Sequence, residues 1–290
     1  MEKMRYKVIK ALASPMVVVC ACLCAAATCF AISNDLVING IGIGYNKITP
    51  SKELTTKVYS VTEKYNEIDV NRGVKVVYRV VAGTPSAEVT APDNLIDYVK
   101  VSVKKGTLEI TIDDDVQING SANTTVVVSG PAIEEYSAGS AGQIVVESAI
   151  KLPGKIEVDA SSAGRIEFVK EIVVKKAEIE ASSASKIIVA SLVSDSGDIE
   201  ASSAASVSIG KVKGKDYDVD SSSAASINIS DGNFENLEAS ASSGSKISVS
   251  GTADRANLDA SSGASVGGDN LTVKYGVSKT SSSGGRVKTK

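Results

Sequence analysis

The chain has no tryptophan and no histidine, and aromatic residues make up only 4% of its 290 positions. Without histidine no Ser-His dyad can form. Without tryptophan, recognition that leans on flat aromatic faces has little to work with, which weakens carbohydrate-cleaving and lectin readings alike. The four cysteines, Cys20, Cys22, Cys24 and Cys29, all fall in the first thirty residues. The rest of the chain therefore has no disulfide, no thiol and no soft metal ligand. Basic residues never cluster with aromatics, so neither a phosphate-tracking groove nor a base-stacking platform can be built, and nucleic acid is excluded as a partner.

What the chain does have is 43% hydrophobic content, enough to bury a full core. Ser, Ala, Gly, Val and Ile dominate, as expected for closely stacked pleated strands, and predict an all-β protein. Residues 1–31 read as an export signal: Lys3, Arg5, Lys7 and Lys10 precede the apolar run "MVVVCACLCAAA", and "CFA" offers small residues for cleavage. The apolar run is too short to span a bilayer comfortably. A retained anchor or a buried helix is the alternative. "VCAC" up to Cys22 and "AATC" up to Cys29 loosely resemble a bacterial lipid-attachment box, so membrane association through an N-terminal lipid stands beside a cleaved, secreted form. The whole chain holds 31 Lys and Arg against 34 Asp and Glu; removing four bases and one acid with residues 1–31 leaves 27 against 33.

Self-similarity organises the second half. A motif of acid, small, Ser, Ser, small, small, polar, branched apolar begins at Ser137, Asp159, Glu180, Glu200, Asp220, Ser240, Asp259 and Thr280, a period of about twenty. Its fourth position is Ser in all eight copies, Ser140 to Ser283, and its eighth is always Ile or Val: Ile144, Ile166, Ile187, Val207, Ile227, Ile247, Val266 and Val287. An apolar residue usually follows two places on, which is strand alternation. Units this short cannot bury an apolar face alone, so copies must stack strand on strand. The reading is a single-stranded parallel β-helix, right-handed, with coils of about twenty residues. Eight coils at about 4.8 Å each make a rod roughly 35 to 40 Å long, with the eighth positions as an inward ladder. Small residues are expected at a corner where coils approach closely, with Ser hydroxyls bonding to neighbouring coils.

Residues 131–290 hold the eight regular coils, and 58–130 form a less regular β part. There Ile68, Ala87, Leu108 and Val126 are 19, 21 and 18 residues apart, compatible with continued winding or with a β cap. Residues 32–57, including "GIGIG" at 40–44, read as a flexible lead-in. That glycine run lacks the Lys-Ser/Thr of a phosphate loop.

Ser183-Ala-Ser-Lys186 and Ser243-Gly-Ser-Lys246 match the Ser-x-x-Lys nucleophile pattern, but the same Lys position holds Gln143, Ser206 and Ser226 in other coils, and no helix is expected there. The first-position acids Asp159, Glu180, Glu200, Asp220 and Asp259 should form a file one coil apart, the candidate surface strip. A cation-binding strip or a carboxylate pair for glycoside hydrolysis is one meaning. A solvated face, partly neutralised by seventh-position Arg165, Lys186 and Lys246, is the other, and is favoured because a repeating file gives no distinct acid and base environments. "DDD" at 113–115 reads as a turn. Tyr78, Tyr98, Tyr136, Tyr217 and Tyr275 are candidate exposed contacts. No catalytic residue, metal or cofactor is expected.

The succession from Tyr65, with "DNLIDYVKV" and "GTLEI" between Asp93 and Ile110, followed by serial "SAGSAG", "SSAG" and "SSGS" coils, resembles the putative auto-transporter adhesin, head GIN domain family of Bacteroidetes, over roughly residues 58–290. Ser or Ala often replaces the family's coil glycines here, as in "EASSASKI". The resemblance implies an exported, β-helical, adhesin-like protein of the cell surface, outer membrane or periplasm, with no catalytic residues to carry over. A C-terminal membrane barrel, which an auto-transporter needs, is not expected: the repeat runs to Val287, followed only by "KTK". The expected function is therefore non-enzymatic presentation of a β surface for adhesion to a matrix protein or glycan, or for self-assembly. A polysaccharide-active enzyme and a purely structural envelope protein are the rivals.

Overall fold

The computed structural model describes residues 46–290 and, in a separate unit, the backbone of a short antiparallel pair, Asp35–Ile38 with Ile41–Gly44. The export segment 1–31 lies outside the described residues. From Glu135 onward the chain is a β-solenoid whose coils pair strand on strand in parallel. Apart from one turn of 3-10 helix, Ile96–Tyr98, no helix occurs among the described residues, and none there is long and apolar enough to cross a membrane.

The eight motif copies stack in register. Ser137 pairs with Asp159, then Glu180, Glu200, Asp220, Ser240, Asp259 and Thr280 in succession. The eighth positions pair likewise from Ile144 to Val287, and all but the last are buried. One sheet face, called face A here, carries Glu135–Ala138, Lys155–Ala160, Lys176–Ala181 and Ser196–Ala201, and continues through the longer strands of later coils. A second, face B, starts with Lys75–Val80 and Gln143–Val146 and continues through the opening residues of Arg165–Val173 and Lys186–Val193. A short third side stacks Ile150, Ile172, Leu192 and Val212.

The Ser-Ser-Ala corner joins face A to face B by a mirror-image turn. In the copy from Asp159, Ser162 and Ala163 both have positive φ, 48° and 63°, and the Gly164 N–H donates to the Ser161 carbonyl at 2.7 Å. Positive φ at both central residues with that closing bond is the type I′ pattern, usually built from Asn and Gly. The fourth-position Ser is in this conformation in all eight coils. The corner differs from expectation in its bonding. The fourth-position serines are exposed, and the coils are joined there by backbone: Ala163 N–H donates to Ser183 O, and Ala184 N–H to Ser203 O, each at 3.0 Å. Hydroxyls bridge coils at the sixth position instead, where buried Ser185 donates to Ala160 O at 2.6 Å and Ser245 to Ser221 O at 2.7 Å. This is also where coils pinch, because a Cβ added to Gly142, Gly164 or Gly285 would strike a carbonyl of the preceding coil.

The N-terminal part forms a β cap and does not continue the twenty-residue winding. Ile68 and Leu108 share a face A file, but Val126 pairs with Val89 in an antiparallel ladder on face B, and Ala87 pairs with Val128. Two further antiparallel pairings, Leu54–Ser60 with Ser86–Pro92 and Val99–Lys104 with Thr107–Ile112, turn the chain back on itself, the second through Lys105 and Gly106, both at positive φ. The lead-in expected over 32–57 is strand in part: Asn46–Ile48 pairs with Val116–Ile118, and Leu54–Ser60 crosses its boundary. Its β-branched and aromatic residues, in "LTTKVYS", suit an edge strand.

Three of the five tyrosines expected as exposed contacts are core. Tyr78, Tyr136 and Tyr217 occupy inward positions and are buried, Tyr98 is half-buried, and Tyr275 is exposed. Tyr136 sits edge-on between Tyr78 and Phe168, with ring centroids 5.8 and 5.0 Å away. The Tyr78 hydroxyl donates to Pro131 O at 2.7 Å, so a large ring is buried with its polar end satisfied.

Candidate functional site

Strand alternation makes face A far more acidic than the repeat motif implied. Because residues two apart point the same way, each first-position acid has an outward neighbour two residues earlier, and for Asp159, Glu180, Glu200 and Asp220 that neighbour is acidic too. The second file runs Glu67, Glu135, Glu157, Glu178, Asp198, Asp218 and Glu238 without interruption, before Asn257 and Ser278. Beside it lie Asp69, Ser137 and the five expected acids, with Ser240 between Asp220 and Asp259. Neighbouring rungs are about one strand spacing, 4.8 Å, apart.

Neutralisation by the seventh position does not occur. The turn carries Arg165, Lys186 and Lys246 round to face B, where Arg165 pairs with Glu167 at 2.8 Å. Of the bases on face A, Lys155 and Lys176 pair with Glu157 and Glu178 on their own strands, and Arg255 donates to Asn236. Between Lys176 and Arg255 that position is Ser196, Asp216 and Asn236. Among the described residues, no salt bridge reaches Asp159, Glu180, Glu200, Asp220, Asp259, Asp198, Asp218 or Glu238.

Crowding shows in the protonation of these groups. Burial, and then the carboxylates of Asp218, Glu200, Asp198 and Glu238, push Asp220 up to about 6. Burial followed by neighbouring acids also raises Asp218, Glu200 and Glu135, and burial alone raises Asp159. Glu178 moves the other way, held down chiefly by the hydrogen bond that the Lys176 ammonium donates to it. The file therefore does not give equal environments, as expected from its repetition: Asp220 stands apart, hemmed in by four acids with no base among them.

A raised carboxylate pKa means the folded chain binds the proton more tightly than the unfolded chain. Its stabilising effect is complete below about pH 4 and is lost as pH rises through about 6. Thermal unfolding measured by calorimetry should therefore show a higher Tm at pH 5 than at pH 8 in low salt, with the gap narrowing in Asp220→Asn and at high ionic strength. Equal Tm values at the two pH values would mean that the carboxylates of face A do not repel one another.

No metal-holding cluster of His, Cys, Asp and Glu is present among the described residues. The acids point outward from one flat sheet, so they do not converge on a point as cation ligands must.

Comparison with known proteins agrees with this architecture. The family model described as putative auto-transporter adhesin, head GIN domain, matches residues 64–196 and 193–288. No curated protein matches. A crystal structure of a putative adhesin from Parabacteroides distasonis is similar at 20% identity and a TM-score of 0.70, over 84% of this chain and 100% of that one. A putative lipid binding protein from the same species is similar at 18% identity with a TM-score of 0.70, over 84% and 100%. A putative adhesin from Parabacteroides merdae has 17% identity and a TM-score of 0.61, over 84% and 99%. At these identities the likeness is one of fold. With stacked twenty-residue coils and a family match over most of its length, the chain belongs to the putative auto-transporter adhesin, head GIN domain family.

Proposed function

We propose that this is an exported, adhesin-like protein that performs no chemistry and binds its partner along face A. The observation that carries the reading is the paired carboxylate file, which spans successive coils as one continuous surface and gathers its groups at no single point. A surface of equivalent rungs suits an extended partner held by many weak contacts, each worth little alone. The family and the leading apolar segment with its basic flank support placement outside the cytoplasm.

The test is binding of the purified chain to a panel of matrix proteins and glycans, with single amide substitutions at Glu157, Glu180, Glu200 and Asp220 and a quadruple variant carrying all four. Each single change should leave binding within about twofold, while the quadruple change should weaken it by tenfold or more. Failure of every panel member to bind would favour a purely structural envelope role.

One observation favours a second reading, a glycan-cleaving enzyme: Asp220 lies beside Asp218 on its own strand and Glu200 on the next, a clustering of carboxylates that favours a protonated acid among them. Under that reading Asp220→Asn alone abolishes turnover of a polysaccharide.

A further inference from the structure

The acid-rich stretch of face A gives way, toward the C-terminal coils, to a trough of different chemistry. It runs across the strands, with a volume of about 750 Å³. One wall is the file Asp216, Asn236 and Arg255, and the other is Asp218, Glu238 and Asn257. Its floor is the sheet itself over inward Tyr217, Leu237 and Ala256, so no aromatic face is presented upward.

Side chains of the walls hold one another in place along each file. Asn236 Nδ2 donates to Asp216 Oδ1 at 2.7 Å, Arg255 Nη1 to Asn236 Oδ1 at 3.3 Å, and Asn257 Nδ2 to Glu238 Oε1 at 3.2 Å. Each of these planar groups uses only part of its bonding capacity, since an amide offers two N–H donors and two lone pairs and a guanidinium five donors. The trough thus shows donors and acceptors alternately, in rungs one strand spacing apart and already oriented. Asp198, Asp216, Asp218 and Glu238 in the lining repel a polyanion, while Lys176 and Arg255 interrupt the acids and oppose a polycation. An uncharged hydroxyl, which both donates and accepts, fits the mixture.

We infer that the trough binds a linear, uncharged, hydroxyl-rich polymer, a neutral glycan strand lying along the solenoid with its residues meeting successive rungs. This rests on the reading of the chain as a binding protein and narrows it to one ligand class at one end of face A. Without a stacking surface, affinity must accumulate rung by rung, so length dependence is its signature.

The experiment is calorimetric titration of the full chain with di-, tetra- and hexasaccharides of three neutral series: cello-, xylo- and isomalto-oligosaccharides. In at least one series the hexasaccharide should bind about tenfold or more tighter than the disaccharide. Asn236→Ala with Asn257→Ala should remove that gain, while Asp159→Asn with Glu180→Gln, outside the trough, should leave it intact. Circular dichroism would verify that both variants remain folded. Absence of length-dependent binding in all three series, or equal loss in both double variants, overturns the trough assignment. Binding of oligolysine in place of every oligosaccharide also overturns it, yet leaves the broader proposal for face A standing. Failure of the panel in the preceding test, with oligosaccharide binding intact, would do the reverse.

Discussion

Replacing Phe168 with Ala is expected to cost about 3 to 5 kcal/mol of folding stability, the range for emptying a buried aromatic site. Phe168 is only 1% exposed. Its ring meets Tyr136 edge-on at 5.0 Å, and in its own file it is stacked between Val146 and Val189 of the adjoining coils. Those coils are fixed by backbone ladders on both sides, so they cannot easily close over the vacancy. Ile187→Ala in the neighbouring inward file should cost about 2 to 5 kcal/mol. Lys186→Ala, one residue earlier and exposed, should stay within about 0.5 kcal/mol. Urea unfolding followed by far-ultraviolet circular dichroism would rank the three. Because stacked coils can unfold in segments, the near-ultraviolet tyrosine signal should be followed as well, since it reports the packing of the buried tyrosines, Tyr78 and Tyr136 among them. A cost below about 1 kcal/mol for Phe168→Ala would mean that the interior between Tyr136 and Phe168 is not tightly packed.

How far the sequence reveals this molecule depends on whether a feature recurs. Ile187 could be placed inward and in register because seven equivalent residues mark its file, and each copy restates the same alternation. The second carboxylate file was equally open to view, in "EVD" at 157–159, "EIE" at 178–180, "DIE" at 198–200 and "DVD" at 218–220. A motif that begins at the first-position acid starts two residues too late to include it. Tyr78, Tyr136 and Tyr217 sit at positions where the other coils carry different residue types, so only strand parity shows that they point inward. The cap is a different case. Pairing of Val126 with both Val76 and Val89 joins segments with no common pattern, and nothing local distinguishes that arrangement from another turn of the solenoid. The trough was illegible for the same reason: Asn236, Arg255 and Asn257 are departures from the repeat, and they acquire meaning only when register sets them beside Asp216 and Glu238.

The corner turns offer the largest expected gain in stability. In five coils the second central residue of the turn is alanine, Ala141, Ala163, Ala184, Ala204 and Ala224, with φ between 61° and 63°. In the last three coils that residue is glycine: Gly244, Gly263 and Gly284. An L-residue held in this left-handed region costs roughly 1 to 2 kcal/mol, and glycine escapes that cost. Glycine also loosens the unfolded chain, which returns about 0.4 to 1 kcal/mol per site. The alanine methyls of these five turns are exposed, so little packing is lost with them. Changing all five to glycine should therefore raise stability by about 4 kcal/mol in total, measured by denaturant unfolding and checked as a rise in Tm. Neighbouring turns share hydrogen bonds, Ala163 N–H to Ser183 O and Ala184 N–H to Ser203 O, so the gains should couple between adjacent coils. Strict additivity of the five single changes would show that each turn relaxes alone, and no gain at all would show that the strain is not there. A net gain would mean that the natural chain keeps a strained, methyl-lined ridge between faces A and B. The alanines would then be retained for their stiffness, which holds the acid files in register across the corner.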